Sequence, residues 1–147
     1  MAQSSRVFVD SSILVTALLS SRGGSFYLLS QYRRQLQFFI NDYVLEETLD
    51  VLSRKFPKQK ELGHNLYLLL GFSRIEVLPN PKKSELRQVQ KLIEKEDAPI
   101  LASALEHCDF LLTLDNDFLT EEVLNFAKHK RLRIFKPKEF IELLRES

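Results

Sequence analysis

The sequence predicts an α/β fold in which a parallel sheet carries helices on both faces. Two observations lead there. Short apolar runs alternate along the chain with segments whose apolar residues recur at helical spacing. The runs themselves, above all Val7-Phe8-Val9 and Phe110-Leu111-Leu112-Thr113-Leu114, are apolar almost throughout rather than at alternate residues, as in strands buried on both sides. A chain of 147 residues can bury such a core within one domain, 1–147. No linker, low-complexity stretch or internal repeat divides it.

Val7-Phe8-Val9 reads as the first strand, ending at Asp10, and a helix follows with Ile13, Leu14, Ala17 and Leu18 on one side. Arg22-Gly23-Gly24 breaks it, Phe26 to Leu36 is helical again, and Gln37-Phe38-Phe39-Ile40 is a second strand. Asn41 suits the N-cap of the next helix. That helix buries Val44, Thr48, Val51 and Leu52 and stops at Pro57. Leu62, Leu66, Leu69 and Leu70 lie on one helical face, and Arg74 to Leu78 forms a third strand before Pro79-Asn80-Pro81.

Helical spacing returns with Leu86, Val89, Leu92 and Ile93. Asp97 is placed to cap a further helix, with Pro99 tolerated in its first turn. Phe110 to Leu114 is the fourth strand, Val123 to Lys128 lies in a helix, and Leu132 to Phe135 is the fifth strand. Pro137 opens a last helix with Phe140, Ile141 and Leu144 inward.

Nothing in the chain approaches the run of about 18 apolar residues that a membrane span requires. Met1 to Arg6 lead straight into the first strand, without the basic and apolar regions of a signal peptide. The single cysteine, Cys108, has no internal partner and suits a reducing compartment. A cytoplasmic protein is expected. Net charge is +1, so the informative quantity is its distribution. Between Glu85 and Glu122 ten acidic residues face three basic ones, whereas Lys128 to Lys138 holds six basic residues and no acid. An acidic centre can gather cations beside a segment that attracts a polyanion, although two solvated helix faces would show the same pattern.

The acids sit at telling places. In parallel α/β sheets, ligands bind beyond the C-terminal strand ends, where the strand order reverses. Asp10 and Asp115 each follow an apolar strand, so both can face one crevice. Each acid also has a plain structural role open to it. Asp10 and Asp97 are good N-caps, Asp115-Asn116-Asp117 is good turn chemistry, and Glu46 and Glu47 suit the start of a helix. Gathered at one sheet edge, however, they would repel unless divalent cations were present, and hard oxygen ligands in that number suit Mg²⁺ or Mn²⁺. His64, His107 and His129 are scattered and match no zinc spacing. Phosphate-binding glycine loops and a nucleophile elbow are both missing. Metal-assisted hydrolysis is the chemistry left.

Four stretches, "VFVDSSILVTALLS", "NDYVLEETLDVL", "EDAPILASALEHCDFLLTLDNDF" and "LRIFKPKEFIELL", give the chain from Val7 to about Leu144 a resemblance to the PIN-domain family of metal-dependent ribonucleases. Their order and spacing resemble those of the VapC-like toxins. The resemblance implies a three-layer α/β/α sandwich with a central parallel sheet in the order 3-2-1-4-5, which sets Asp10 and Asp115 side by side. It implies Asp10, Glu47, Asp97 and Asp115 as catalytic and metal-binding residues, with Asp117 as a further metal ligand. Ser12 or Thr113 would hydrogen-bond a carboxylate or a bound water. Helical periodicity does not choose between Glu46 and Glu47; the family motif places its glutamate at Glu47.

By the same resemblance the cofactor is Mg²⁺ or Mn²⁺, the substrate is RNA, and the partners are an antitoxin protein and a second copy of the chain, with no membrane involved. Lys128, Lys130, Arg131 and Arg133, with Arg33 and Arg34, are candidates to guide the RNA backbone. Exposed apolar residues of the Phe56–Leu70 segment are candidates for the dimer contact. Two other readings compete. One is a PIN-like module that binds metal, RNA or protein without cleaving. The other is an acidic metal-binding regulator like a receiver domain, disfavoured because the Asp10 region lacks that domain's adjacent acidic pair.

Overall fold

A computed structural model describes residues 4–146; the leader-free reading of residues 1–3 falls outside them. Five strands, β1 (Ser5–Val9), β2 (Leu36–Asn41), β3 (Glu76–Leu78), β4 (Phe110–Leu112) and β5 (Arg133–Phe135), form one sheet in the order β3-β2-β1-β4-β5. Every neighbouring pair is parallel. The expected order 3-2-1-4-5 is therefore observed.

The chain reaches β2 through α1 (Ser11–Leu19) and α2 (Gly24–Gln31), and β3 through α3 (Asp42–Lys55) and α4 (Glu61–Phe72). It then crosses to β4 through α5 (Lys83–Arg87) and α6 (Ala98–His107), and moves on to β5 through α7 (Glu121–His129). The first two crossovers travel one way along the sheet and the last two the other. Because such crossovers are right-handed, the two helix groups cover opposite faces, giving the three-layer sandwich. The final helix, α8 (Pro137–Glu146), returns to pack on α2. Their close approach depends on Gly24, where an added Cβ would lie 3.3 Å from the Cβ of Pro137.

The three inner strands are fully buried at Val7, Phe8, Val9, Phe38, Phe39, Ile40, Leu111 and Leu112, as their unbroken apolar character requires. Beyond the other face of β4 and β5, Phe110, Phe135 and Phe140 form a ring cluster with centroids 5.0–6.0 Å apart. Among the described residues no single helix is long and apolar enough to cross a membrane. The apolar pair α1 and α2 bends by 96° between its halves and buries Ile13, Leu14, Leu28 and Leu29 in the core.

Several element ends differ from the sequence reading. Leu36 belongs to β2, because α2 stops at Gln31 and a turn through Tyr32 lets Leu36 pair with Ser5. Arg74 is outside β3: its φ of 59° is a left-handed conformation that ends α4 rather than an extended one. The repeat from Leu86 to Ile93 yields only the five-residue α5 followed by turns, although Val89 is fully buried as the repeat predicts. β4 stops at Leu112; Thr113 still donates its N–H to Phe135 O at 3.1 Å, whereas Leu114 N–H turns to Ser12 Oγ, and the backbone departs toward the site described next.

Phe140 is fully buried at the centre of its ring cluster. Phe140→Ala is expected to lower the unfolding free energy by about 3–5 kcal/mol, read as a fall in the midpoint of denaturant unfolding. A loss below about 1 kcal/mol would mean the cluster is not packed as described.

Candidate metal centre

Strand β1 ends at Asp10, whose extended backbone (φ −75°, ψ 158°) caps α1. Its carboxylate is 3% exposed. Oδ1 accepts from the Ser11 backbone N–H at 2.7 Å, and Oδ2 from the hydroxyls of Ser12 at 3.0 Å and Thr113 at 2.7 Å. The two hydroxyls are themselves oriented. Thr113 Oγ1 accepts from Asp115 N–H at 3.0 Å and Ser12 Oγ from Leu114 N–H at 3.1 Å. With their lone pairs engaged, both turn their single proton to Asp10. The exit of β4 is thereby tied to the end of β1, and Asp115 follows at once.

Ser11 serves two acids. Its N–H goes to Asp10, while its hydroxyl lies 2.6 Å from Glu47 Oε1 and 3.3 Å from Asp10 Oδ1. One proton cannot fill both contacts, and the shorter, to Glu47, takes it. Glu46 is exposed; of the two adjacent glutamates, Glu47 is the one that reaches the Asp10 shell. Its helix is fixed by Asn41. The Asn41 Oδ1 accepts from Val44 N–H at 2.9 Å, and its Nδ2 donates to Pro99 O at 3.1 Å and to Ser103 Oγ at 2.8 Å. This wholly buried amide locks the start of α3, and so Glu47, onto the first turns of α6, where Asp97 stands.

Asp97 occupies the N-cap position of α6 but makes no side-chain cap bond, so the capping role expected for it is not realised. Its backbone there is already helical (φ −94°, ψ −19°), which turns the carboxylate away from the first N–H groups and leaves it free. Carboxylate oxygens of Asp97, Asp115 and Asp117 lie within 4.8 Å of one another, the one such group among the described residues. Asp115 Oδ1 also accepts from Asp117 N–H at 2.9 Å, so the expected turn chemistry is present within the cluster. Asp10 and Glu47 stand outside this compact trio, joined to it through Thr113 and Ser11.

Electrostatics show how closely the acids crowd. Burial, then repulsion from Asp115, Asp10, Asp117 and Glu47, pushes the Asp97 carboxyl up to about 7. Glu47 is also raised, by burial first and then by Asp10, Asp115 and Asp50 against the lowering bond from Ser11. Asp10 is raised because burial outweighs the three hydrogen bonds that lower it. The phenol of Tyr43 rises for the same reasons, burial and then Glu47 and Asp97. The only salt bridge among the described residues is Arg54–Asp50, so no protein cation pairs with the cluster. A set of carboxylates and hydroxyls without imidazole or thiolate fits hard divalent cations such as Mg²⁺.

Other candidates lie elsewhere. Lys128 lies in the last turn of α7, Lys130 and Arg131 follow it, and Arg133 begins β5. Arg33 and Arg34 precede β2. All six therefore stand at the N-terminal edge of the parallel sheet, opposite the carboxylates, because the helices run antiparallel to the strands. They therefore do not adjoin the carboxylates. His64, His107 and His129 are exposed and remote from one another. Burial raises the Cys108 thiol to about 12, leaving it protonated and inert at neutral pH.

A family model described as PIN domain matches residues 7–120. Among solved structures, PAE2754 from Pyrobaculum aerophilum matches with a TM-score of 0.67 and 18% identity, over 97% of this chain and 91% of that one. VapBC2 from Rickettsia felis, bound to a DNA fragment from its promoter, matches with a TM-score of 0.65 and 20% identity, over 89% and 98%. VapC20 of Mycobacterium tuberculosis, a toxin that cleaves the sarcin-ricin loop, matches with a TM-score of 0.52 and 19% identity, over 77% and 92%. A sequence comparison with curated proteins finds no match.

Crowding of like charge has a sign in pH. Folded Asp97 holds its proton up to about pH 7, whereas in the unfolded chain it ionises near 3.8. The unfolded state therefore binds fewer protons between those values, and stability falls as pH rises through that window before levelling off. Asp10 and Glu47, shifted in the same direction, add to the fall. In chelator, urea unfolding is expected to show this decline, and Asp97→Asn should flatten it and be the more stable protein above pH 7. An unchanged slope in the variant would contradict the upward shift of Asp97 by burial and then by its neighbouring acids.

Proposed function

Because the chain belongs to the PIN-domain family, we propose that it is a metal-dependent endoribonuclease that hydrolyses RNA phosphodiester bonds and acts in the cytoplasm as the toxin of a toxin–antitoxin pair. The observation that carries this reading is the trio Asp97, Asp115 and Asp117 beside buried Asp10, negative charge that forms no salt bridge among the described residues. The site lies where the strand order reverses between β1 and β4, as in ligand-binding α/β sheets generally.

In this reading Asp10, Glu47, Asp97 and Asp115 are the catalytic, metal-binding carboxylates, and Asp117 is a further ligand. One or two bound Mg²⁺ or Mn²⁺ ions would supply a lowered water pKa and charge neutralisation at the phosphate. The remaining work falls to the chain. Ser12 and Thr113 hold Asp10 in one rotamer, Ser11 couples Asp10 to Glu47, and Asn41 holds α3 against α6 so that acids from four elements stay in register. Such supporting bonds commonly matter 10–100-fold in metal affinity or activity, an order-of-magnitude range.

The partners follow the same reading: an antitoxin protein that restrains the nuclease, and a second copy of the chain. Of the Phe56–Leu70 segment, Leu62, Leu66, Leu69 and Leu70 are core. Tyr67, Leu68 and the nearby Phe72, each at least half exposed, form the apolar face on α4 that would meet its copy. Leu68→Glu is expected to turn a dimer into a monomer in analytical ultracentrifugation. A wild-type monomer, or an unaltered dimer in the variant, would remove this interface.

The decisive assay is cleavage of a mixed RNA pool with Mg²⁺ or Mn²⁺. Wild type should cleave only with metal, Asp10→Asn should lose the activity, and Ser11→Ala should retain about 1–10% of it. Equal activity in wild type and Asp10→Asn would discard the site. Confirmed metal binding without cleavage would favour the silent binding module.

A further inference from the structure

Two open clefts adjoin each other before and at the start of α6, and the second reaches Asp117 of the acid trio. Tyr43, Leu86, Ala98 and Pro99 line the first, with Lys91 and Lys95 at its rim. Lys91 and Lys95 also line the second, together with Asp117, Thr120 and the acids Glu94 and Glu122. The two lysines therefore stand between an aromatic and apolar recess and the acid trio. Both are exposed, and neither forms a salt bridge among the described residues. They are two of only three basic residues between Glu85 and Glu122, and they lie at the carboxylate edge of the sheet, unlike the basic segment from Lys128 to Arg133.

The backbone that carries Tyr43 is held on two sides. It lies in the first turn of α3, four residues before Glu47, and residues so spaced share a helix face. Its backbone N–H donates to Asn80 Oδ1 at 2.8 Å, and the neighbouring Asn41 ties the same turn to Pro99. The half-buried ring feels the charges of Glu47, Asp97, Glu96 and Asp10, which places it within reach of the site. An aromatic ring and a proline lining one recess, next to lysines outside any salt bridge among the described residues, is the chemistry of a nucleobase platform joined to a phosphate track.

Resting on the ribonuclease reading above, we propose that the Tyr43–Pro99 recess stacks the RNA base adjacent to the phosphate held at the carboxylates, and that Lys91 and Lys95 contact the neighbouring phosphates. Tyr43 is a substrate-positioning residue that reads the flat face of a base, so single-stranded RNA fits and a paired helix does not. Gln90 and Glu96 at the same rim offer hydrogen-bonding groups to the base edge.

The test is fluorescence anisotropy of the full chain with a fluorescein-labelled, mixed-sequence single-stranded RNA, with Ca²⁺ in place of Mg²⁺. Tyr43→Ala should weaken binding by about 5- to 150-fold, the range of one base–aromatic stack, while Tyr43→Phe should bind like wild type. The double variant Lys91→Ala/Lys95→Ala should lower the slope of log affinity against log salt by about 1.4, about 0.7 per lost phosphate contact. Lys128→Ala/Lys130→Ala, on the opposite edge, should change neither. The inference is overturned if wild type does not bind, if a folded Tyr43→Ala protein binds as well as wild type, or if the lysine pair leaves the slope unaltered. Tyr43-dependent binding without metal-dependent cleavage would sink the nuclease reading and leave this subsite standing; cleavage with Tyr43-independent binding would do the reverse.

Discussion

A buried carboxylate at the end of the central strand organises the rest of this molecule. Asp10 is 3% exposed, and an ionised group in such a place is costly unless its oxygens are fully bonded. The bonds it accepts come from Ser11 and Ser12 at the start of α1 and from Thr113 at the exit of β4. Hydrogen bonds to a charged group contribute about 1.5–3 kcal/mol each, enough together to offset much of the desolvation. Strand pairing, helix start and site geometry are thus one network. Changing any donor would disturb the fold and the site together.

Around that centre the fold holds like charges close. Asp97 is pushed up to about 7 chiefly by burial, with four other acids adding to the shift. Left alone, such a cluster would open. It is kept closed by a neutral strut, the Asn41 side chain, which bonds its own helix and the first turns of α6 at once. Local instability held by surrounding packing is a common mark of functional sites. Here its physical form is repulsion between carboxylates, which a divalent cation would relieve.

Much of this was readable from residues. Apolar runs located the inner strands because both faces of each are buried, and the strand ends led to Asp10 and Asp115. Periodicity could not separate Glu46 from Glu47, since both flank the buried stripe of α3; the Ser11 contact and the exposure of Glu46 distinguish them. The cap expected of Asp97 failed because cap propensity does not register backbone conformation, and its N-cap residue is already helical. Asn41 was legible as a cap, but its two bonds to α6 cross 58 and 62 residues and leave no local signal. The basic run at Lys128–Arg133 shows a simpler limit: charge along a chain does not say at which end of a sheet it will stand.

The central claim is that Asp97, Asp115 and Asp117 form a cation site beside Asp10. Crystals soaked in Mn²⁺ and measured for anomalous scattering test it most directly. A manganese peak is expected in coordination contact with oxygens of that trio, absent from crystals of Asp97→Asn. Manganese bound elsewhere, or a bare cluster at a concentration that occupies other carboxylates, would contradict it.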